Sequence, residues 1–325
     1  MIPTRFAILR LLHNAMYATI GAMDTQQVVI AVPDLDEALR YFVDALGFEV
    51  DRIWPADKPR VAHLIGQGHA LELRLHGIAQ PLSTELPWAT PSLEIHRRRD
   101  AQWGRGRAGM QYCDLIPSRI GGRVIASHIR IPGSGPVDDW VHYHEVDFQM
   151  IFCRRGQVTV VYEDQGPPMV LEAGDGVLQP PTIRHRVLES SDDLEVIEIG
   201  SPAAHVTVSD RQCDLPTPTV RPSRTFGGQT FVLSRAHEGW TPQGDLEVRD
   251  LGFGVATEGL ADAQVIRGTG RLTLAHLGGL LFLFVLEGRV ELSGATLETG
   301  DCASFTQAVE GQCRGEFLAV SLRKP

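Results

Sequence analysis

The residues of this chain best suited to chemistry are three histidines and a glutamine. His142 and His144 stand two apart in a β-rich segment, so on a strand their side chains share a face. His185 follows later, behind the diproline at 180–181. Three imidazoles and the amide oxygen of Gln149, converging inside a β-barrel, would bind a divalent metal ion. The sequence therefore predicts four metal ligands: His142, His144, Gln149 and His185.

Gln149 can join the histidines only if the chain turns before it. It lies five residues past His144, and on a straight strand that odd offset would place it on the opposite face. A turn near residues 145–147 restores convergence, and in another register Asp147 would supply a carboxylate instead. If Gln149 does coordinate, its neutral amide leaves the ion's charge uncompensated and favours an anionic, chelating substrate. If it does not, three histidines hold the metal.

Composition excludes several classes of protein. The chain has 325 residues, enough for two or three domains, and a formal net charge of −10, which argues against a nucleic-acid partner. No stretch is apolar over the length that spans a bilayer, so no membrane partner is expected. Five cysteines, an odd number without CxxC spacing, indicate reduced thiols and a cytoplasmic location.

Residues 24–78 predict a small β-α-β-β-β module, after an N-terminal extension of residues 1–23. Residues 27–33 predict a strand, Asp34 caps a helix that ends at Gly47, and three further strands follow. Apolar residues at helical spacing form the buried face of this helix: Leu35, Leu39, Phe42, Val43 and Leu46.

The stretch from Val32 to Val50 closely resembles the opening of glyoxalase/vicinal-oxygen-chelate modules. A complete site in that family takes two such modules, and this sequence shows one. The resemblance places the family's first-strand metal histidine at Gln27, and its last-strand glutamate has no counterpart beyond Glu72. We therefore expect no metal in this module, but a structural element through which two chains form a homodimer.

The chain beyond the module divides into a linker and a β-rich region. Residues 79–108 are rich in Pro, Ser, Thr and Arg and predict a linker, in which the basic run 96–99 is expected to lie in solvent. From about residue 109 short apolar runs alternate with turns, and an internal repeat is present. Two pairs of landmarks define the repeat: Gly156 with Gly288, and Gly174-Asp175 with Gly300-Asp301.

These landmarks resemble those of the cupin family of small jelly-roll barrels, in its two-barrel form. The first copy, residues 109–205, carries His-x-His, Gly156, Gly-Asp-Gly and Pro-Pro-x-x-x-His in the family order. The resemblance implies the same four ligand positions, with Gln149 where the family usually has glutamate.

The second copy, residues 206–325, is expected to be degenerate and without metal. Offsets from the repeated glycines place four residues at the ligand positions: Leu274, His276, Leu281 and Gly311. One imidazole does not hold a metal tightly, so this barrel is predicted to stabilise the first. The run 280–286 is apolar on both faces, which is typical of a fully buried strand.

Four further residues are candidates for contact with a substrate. His128 and Arg130 precede the metal motif and share one face of a strand. If that face lines the cavity, the pair meets the substrate. Tyr162 and Gln179 are candidates on the strands that follow. The sequence assigns no catalytic residue.

The sequence thus predicts a mainly β protein, with two cupin barrels behind a small α+β module and one divalent metal ion per chain. We expect an enzyme whose small-molecule substrate is an oxygen-rich organic acid or a phenolic. A donor set without a carboxylate favours Fe(II) and a dioxygenase reaction, as in some cupins, although zinc, manganese and nickel also suit nitrogen-rich sites. The alternatives are a non-redox isomerase or lyase at the same metal, and a ligand-binding or regulatory protein.

Overall fold

The structure, a computed structural model, describes residues 28–55, 58–77, 93–106, 109–292 and 294–324. These residues are mainly β. The predicted N-terminal extension, residues 1–23, and the position of Gln27 lie outside the described residues. No helix in the described part of the chain has both the length and the apolar character needed to cross a membrane.

The N-terminal module has the predicted order of one strand, one helix and three strands. Its elements are β1 (Val28–Val32), α1 (Leu35–Arg40), β2 (Glu49–Trp54), β3 (Val61–Gly66) and β4 (His69–Leu75). Asp34 caps α1, since its Oδ1 accepts a hydrogen bond from the Glu37 backbone N–H at 2.9 Å. A π-helical turn, Tyr41–Ala45, then shifts the helical phase, so that Leu46 is exposed rather than buried as predicted.

The first barrel and its flanking segments contain short strands. They are β5 (Leu93–His96), β6 (Gly104–Arg105), β7 (Gln111–Asp114), β8 (Ile125–Ile131), β9 (Gly135–Pro136), β10 (His142–Glu145), β11 (Phe148–Arg155), β12 (Gln157–Tyr162), β13 (Met169–Glu172), β14 (Gly176–Leu178), β15 (His185–Ser190), β16 (Leu194–Ser201), β17 (Val206–Ser209), β18 (Thr225–Phe226), β19 (Gln229–Thr230) and β20 (Val232–Ser234). Short 3₁₀ turns lie at Arg98–Asp100 and Arg119–Gly122.

The second barrel contains longer strands and one short helix. They are β21 (Trp240–Gln243), β22 (Leu246–Asp250), α2 (Phe253–Ala256), β23 (Ala261–Leu274), β24 (Leu280–Leu292), β25 (Ala295–Glu298), β26 (Cys302–Phe305) and β27 (Val309–Leu322).

Two sheets form the walls of the first barrel. One of them continues from the N-terminal module and has the order β1-β4-β3-β2-β17-β10-β15-β12-β13, with β9 paired to β15. The other has the order β20-β14-β11-β16-β8-β7-β6. Apolar side chains such as Val158, Leu171 and Val177 fill part of the space between them.

Strand β17 joins the N-terminal module to the barrel. On one edge it pairs with β2, with Thr207 opposite Ile53. On its other edge it pairs with β10, with Thr207 opposite His144. The module therefore lies one strand away from the strand that carries two of the predicted metal ligands.

The two barrels pack together through a shared apolar core. The second barrel has the sheet order β21-β22-β23-β27-β24-β26-β5, with β25 paired to β24. The shared core includes Phe148, Met150 and Phe152 from β11 and Phe282 and Phe284 from β24. Alternate residues of β24 face the interior of the second barrel, so this strand is buried on both faces, as predicted.

The edge strands cross the domain boundaries predicted from the sequence. Within residues 79–108, which were predicted as a linker, β5 pairs with β26 of the second barrel. Strands β17 and β20 lie beyond the predicted boundary at residue 205, yet they belong to sheets of the first barrel. Arg97 forms an ion pair with Asp301 at 2.8 Å, so the basic run 96–99 is partly anchored rather than wholly solvated.

The repeated Gly-Asp turns explain where these edge strands attach. The carboxylates of Asp175 and Asp301 each accept a hydrogen bond from the backbone N–H three residues earlier, at 3.1 and 3.0 Å. Arg235 binds Asp175 at 2.6 Å just as Arg97 binds Asp301. The structural repeat thus includes an arginine after each edge strand. This part of the repeat is not recognisable from the sequence, because the polar composition of residues 79–108 predicts a linker.

Replacing Phe282 with alanine should destabilise the protein, because this side chain is fully buried in the shared core. We expect chemical denaturation to show that the free energy of unfolding falls by about 3–5 kcal/mol. Val255→Ala is the control, since Val255 is 91% exposed. A loss below about 1 kcal/mol for Phe282→Ala would contradict a tightly packed core between the barrels.

Candidate metal centre

Three histidines converge inside the first barrel. His142, His144 and His185 each offer a ring nitrogen within 4.8 Å of the other two, and all three side chains are buried. The ring centroids of His142 and His185 are 4.2 Å apart, and those of His142 and His144 are 5.1 Å apart. Among the described residues this is the one group of three or more metal-ligating side chains of this kind.

Strand pairing brings the histidines together. His142 lies directly opposite His185 in the antiparallel pair of β10 and β15. His144 is two residues along β10, so it projects from the same face. The turn after the diproline is held in place because the Thr182 N–H donates to the His144 carbonyl oxygen at 3.1 Å.

Hydrogen bonds at Nδ1 orient the three rings. The Nδ1–H of His142 donates to the Trp140 carbonyl at 2.7 Å, and that of His185 donates to the Ile183 carbonyl at 3.0 Å. Because a carbonyl oxygen only accepts, Nδ1 carries the proton in both rings, and the neutral form of each ring has its lone pair on Nε2. His144 Nδ1 is hydrogen-bonded to Thr207 Oγ1 at 2.9 Å. Rings oriented in this way are typical of metal ligands, and the cluster fits a divalent ion.

A buried carboxylate lies behind His142. Asp139 Oδ1 is 3.8 Å from His142 Nδ1, and its Oδ2 accepts a hydrogen bond from the Val187 N–H at 2.9 Å. A carboxylate behind a ligating imidazole is a common feature of metal sites, and here it lies next to the ring without displacing the Trp140 carbonyl. Asp139 is not recognisable as part of the site from the sequence, because nothing in its spacing from His142 distinguishes it from an aspartate in a turn.

Gln149 lies on the opposite sheet, where a carboxylate holds its amide. The chain leaves β10 at Glu145 and enters β11 at Phe148 in the other sheet, so the predicted turn is present. Gln149 Nε2 donates to Glu198 Oε1 at 2.5 Å. Since the nitrogen is engaged by Glu198, the amide oxygen is the atom available as a ligand. Asp147 is exposed and does not line the cavity.

The three histidines and Gln149 line a cavity of about 100 Å³. Its remaining walls are mainly aliphatic and include Ile129, Ile151 and Val196. The other polar side chains on the wall are few: Tyr112, Tyr162, Gln179 and Glu198. None of the described residues that line this cavity is a lysine or an arginine.

Tyr162 and Gln179, both predicted to contact the substrate, line this cavity. The ring of Tyr162 stacks on His185, with centroids 5.6 Å apart and an interplanar angle of 28°. Burial raises the pKa of the Tyr162 phenol, against the opposing effect of its hydrogen bond with Gln179. Tyr162 therefore stays neutral and keeps its proton.

His128 and Arg130 face away from the cavity, contrary to the prediction. Their neighbour Ile129 lines the cavity instead, as strand alternation requires. His128 Nε2 lies 2.9 Å from Glu195 Oε2, and the Arg130 guanidinium lies 4.0 Å from the centroid of the Trp103 ring. The second barrel covers this face of β8. Because the face lies between the two barrels and not in the cavity, large, partly polar side chains are accommodated there.

Aliphatic residues occupy the matching interior of the second barrel. Leu274 and Leu281, at the positions equivalent to His142 and Gln149, belong to its apolar core. The space that contains the histidine cluster in the first barrel is thus taken up by packed side chains in the second.

Removing the hydroxyl of Thr207 should weaken metal binding, because it would leave the Nδ1 of His144 without its oriented partner. We expect Thr207→Val to lower the affinity for Mn(II) or Zn(II) by about 10–100-fold, measured by competition with a chelator. Thr207→Ser is the matched control, since it keeps the hydroxyl. Equal affinities for the valine and serine variants would show that this hydrogen bond does not support the site.

Acid should destabilise the interface between the barrels through Glu195. The hydrogen bond with His128 lowers the pKa of Glu195 to about 2, with further attraction from Arg154. Its stabilising effect is therefore fully present above the unfolded value of about 4.3 and is lost as the pH falls through about 2. We expect the free energy of unfolding of Glu195→Gln to depend less steeply on pH over this range than that of the wild type. The control Glu189→Gln, at an exposed position, should keep the wild-type slope. Identical slopes for all three proteins would contradict the assignment.

Family models match two parts of the chain. Residues 128–200 match the cupin domain, and residues 25–84 match the glyoxalase/bleomycin resistance protein/dioxygenase superfamily. No curated protein is significantly similar to this sequence.

Solved structures with a similar fold include those of oxalate decarboxylase from Bacillus subtilis. A mutant of that enzyme is 12% identical, with 75% of this chain and 80% of that chain covered and a TM-score of 0.52. A structure from a study of its Mn(II) centres is also 12% identical, with the same coverage and a TM-score of 0.50. At this identity the likeness concerns the fold alone. The family matches identify residues 128–200 as a cupin domain and residues 25–84 as a glyoxalase-like part, in a chain whose fold is similar to that of oxalate decarboxylase.

Proposed function

We propose that this protein is a metal-dependent enzyme that acts on a small, oxygen-rich organic acid by non-redox proton transfer, as an isomerase or a lyase. The observation that supports this proposal is Glu198, a carboxylate on the wall of the cavity that contains the histidine cluster. Proton transfer needs a titratable group within reach of the substrate. The sequence alone favours a dioxygenase, because no pattern in it distinguishes Glu198 from other acidic residues.

His142, His144 and His185 would hold the metal ion, and the amide oxygen of Gln149 would be the fourth ligand. When bound, a divalent ion would act as a Lewis acid towards oxygens of the substrate. The nitrogen-rich donors suit manganese, iron, zinc and nickel. Manganese has additional support, because the similarly folded oxalate decarboxylase has Mn(II) centres.

The residues around the cavity have distinct tasks in this proposal. Glu198 accepts a proton from the substrate, or returns one to it, while the amide of Gln149 fixes the position of its carboxylate. Tyr162 remains a neutral phenol that can donate a hydrogen bond to the substrate. The aliphatic walls exclude water, which strengthens the interaction of these groups with the reacting atoms.

The size of the cavity favours a small acid over a phenolic. Its volume is about 100 Å³. An engineered apolar cavity of about 150 Å³ binds benzene. The part of a substrate that lies inside this cavity would therefore be smaller than a benzene ring that carries polar groups.

An Fe(II) dioxygenase is the second candidate. The observation in its favour is the donor set, three imidazoles and one amide, which contains no carboxylate. Oxygen consumption distinguishes this candidate from the first.

The homodimer predicted through the N-terminal module stays a prediction, as does the cytoplasmic location. The β2 edge of the module is paired with β17 of the same chain. A second chain would therefore have to contact another surface of the module.

Turnover should occur without oxygen uptake. The protein would be loaded anaerobically with Mn(II) or Fe(II) and assayed against small 2-oxo and 2-hydroxy acids, with an oxygen electrode in parallel. We expect Glu198→Gln to lower kcat by about 10²–10⁴-fold with unchanged metal content, because it removes the proton acceptor. Glu189→Gln, an exposed change of the same type on β15, is the control.

The other outcomes of this assay separate the alternatives. Oxygen uptake in proportion to turnover would favour the dioxygenase. Tight binding of an acid without any turnover would indicate a ligand-binding protein. Full activity of Glu198→Gln would refute the assignment of Glu198.

A further inference from the structure

We propose that this site binds an acid with a short aliphatic tail, whose polar head lies at the histidines and whose tail lies in the aliphatic half of the same cavity. This inference rests on the proposed function and narrows its substrate class. Val160 and Val187 are specificity-determining residues in it.

Strand register divides the wall of the cavity into a polar end and an aliphatic end. On the sheet that carries the histidines, Tyr162 of β12 lies opposite His185 of β15, and Val160 lies opposite Val187. All four side chains line the cavity. Residues two apart on a strand share a face and are separated by roughly 7 Å along it, so the two valines form the next layer of the wall beyond the histidine layer.

The facing sheet has the same division. Two residues from Glu198 on β16, Val196 lies opposite Ile129 of β8, and both aliphatic side chains line the cavity. Strand β11 pairs with β16 in this sheet, and the turn at Gly156 joins the end of β11 to the start of β12 in the other. The direction from Glu198 to Val196 therefore leads to the same end of the barrel as the direction from the histidine layer to the valines. The aliphatic layers of the two sheets thus face each other.

The aliphatic end continues beyond these layers. Other residues that line it include Ile131, Val158, Leu171 and Leu194. Among the described residues that line this end, Tyr112 is the one with a polar group, and its hydroxyl donates to Met110 Sδ at 3.5 Å. A substrate group placed here leaves water for aliphatic surroundings, which favours a hydrocarbon chain and disfavours a polar one.

The volume of the cavity limits the tail to a few carbon atoms. The whole cavity measures about 100 Å³, and the polar head of the substrate would occupy the part beside the histidines. Each methylene group that leaves water should raise the affinity about fourfold. Once the tail fills the aliphatic end, a further carbon would be overpacked and should lower the affinity.

A series of 2-oxo acids tests the tail. The affinities of pyruvate, 2-oxobutanoate, 2-oxopentanoate and 2-oxohexanoate for the full-length, Mn(II)-loaded protein would be measured by calorimetry, with bound metal measured after each titration. The polar counterpart of 2-oxopentanoate is 4-hydroxy-2-oxobutanoate, because both are singly charged and have the same number of non-hydrogen atoms. We expect the affinity to rise about fourfold from pyruvate to 2-oxobutanoate, and 2-oxopentanoate to bind about 10-fold more tightly than its hydroxylated counterpart.

Val160→Thr and Val187→Thr should each reduce the preference for the hydrocarbon tail by about fivefold, because each places a hydroxyl beside it at nearly constant shape. Val187 is half-buried, so its variant keeps the test open if Val160→Thr does not fold. Val170→Thr is the matched control, since Val170 is 40% exposed, and it should keep the wild-type preference.

The outcomes separate this inference from the proposed function. If the metal binds and the affinities of the acids do not depend on the tail, or if the hydroxylated acid is preferred, this inference is refuted while the metal centre stands. The same holds if both cavity variants keep the wild-type preference. If the wild type retains no metal, or binds none of the acids, both the proposed function and this inference are refuted.

Discussion

The pairing of β10 with β15 is the interaction on which the site depends. It places His142 directly opposite His185, and the strand period then carries His144 to the same face. A shift of this pairing by one residue would turn the ligands of one strand outward. The neighbouring strands prevent such a shift, because β17 covers the other edge of β10 and contributes the Thr207 hydroxyl to His144.

In the proposed centre the charge lies in the surroundings rather than in the ligands. The proposed donors, imidazoles and an amide, have no negative charge, while Glu198 and Asp139 each lie one contact further out. A carboxylate that binds the ion directly has its charge largely neutralised there. A carboxylate one contact away still acts on whatever else enters an apolar cavity. The glutamine at position 149 is thus best understood together with Glu198.

The histidine cluster, the two-barrel architecture and the β-α-β-β-β module could be predicted from the sequence, because each depends on local periodicity and on ordered landmarks. Glu198 and Asp139 could not, since a single acidic residue carries no pattern and gains its meaning from a partner on another strand. Strand alternation predicts that His128 and Arg130 share one face of β8. The direction of that face, away from the cavity, depends on the packing of the second barrel and cannot be predicted from alternation. The predicted domain boundaries put the edge strands β5 and β20 in the wrong parts of the protein, because strand pairing, not chain order, assigns a strand to a barrel.

The continuous sheet formed by the N-terminal module and the first barrel has a consequence for how the protein can be divided. Because β2 hydrogen-bonds to β17, removal of the N-terminal module would leave unpaired backbone groups on the edge of β17. That edge is one strand away from the histidines of β10. An exposed edge strand of this kind promotes aggregation. Local unfolding of the truncated barrel would begin at this edge. The glyoxalase-like part is thus an integral wall of the metalloprotein rather than a detachable appendage.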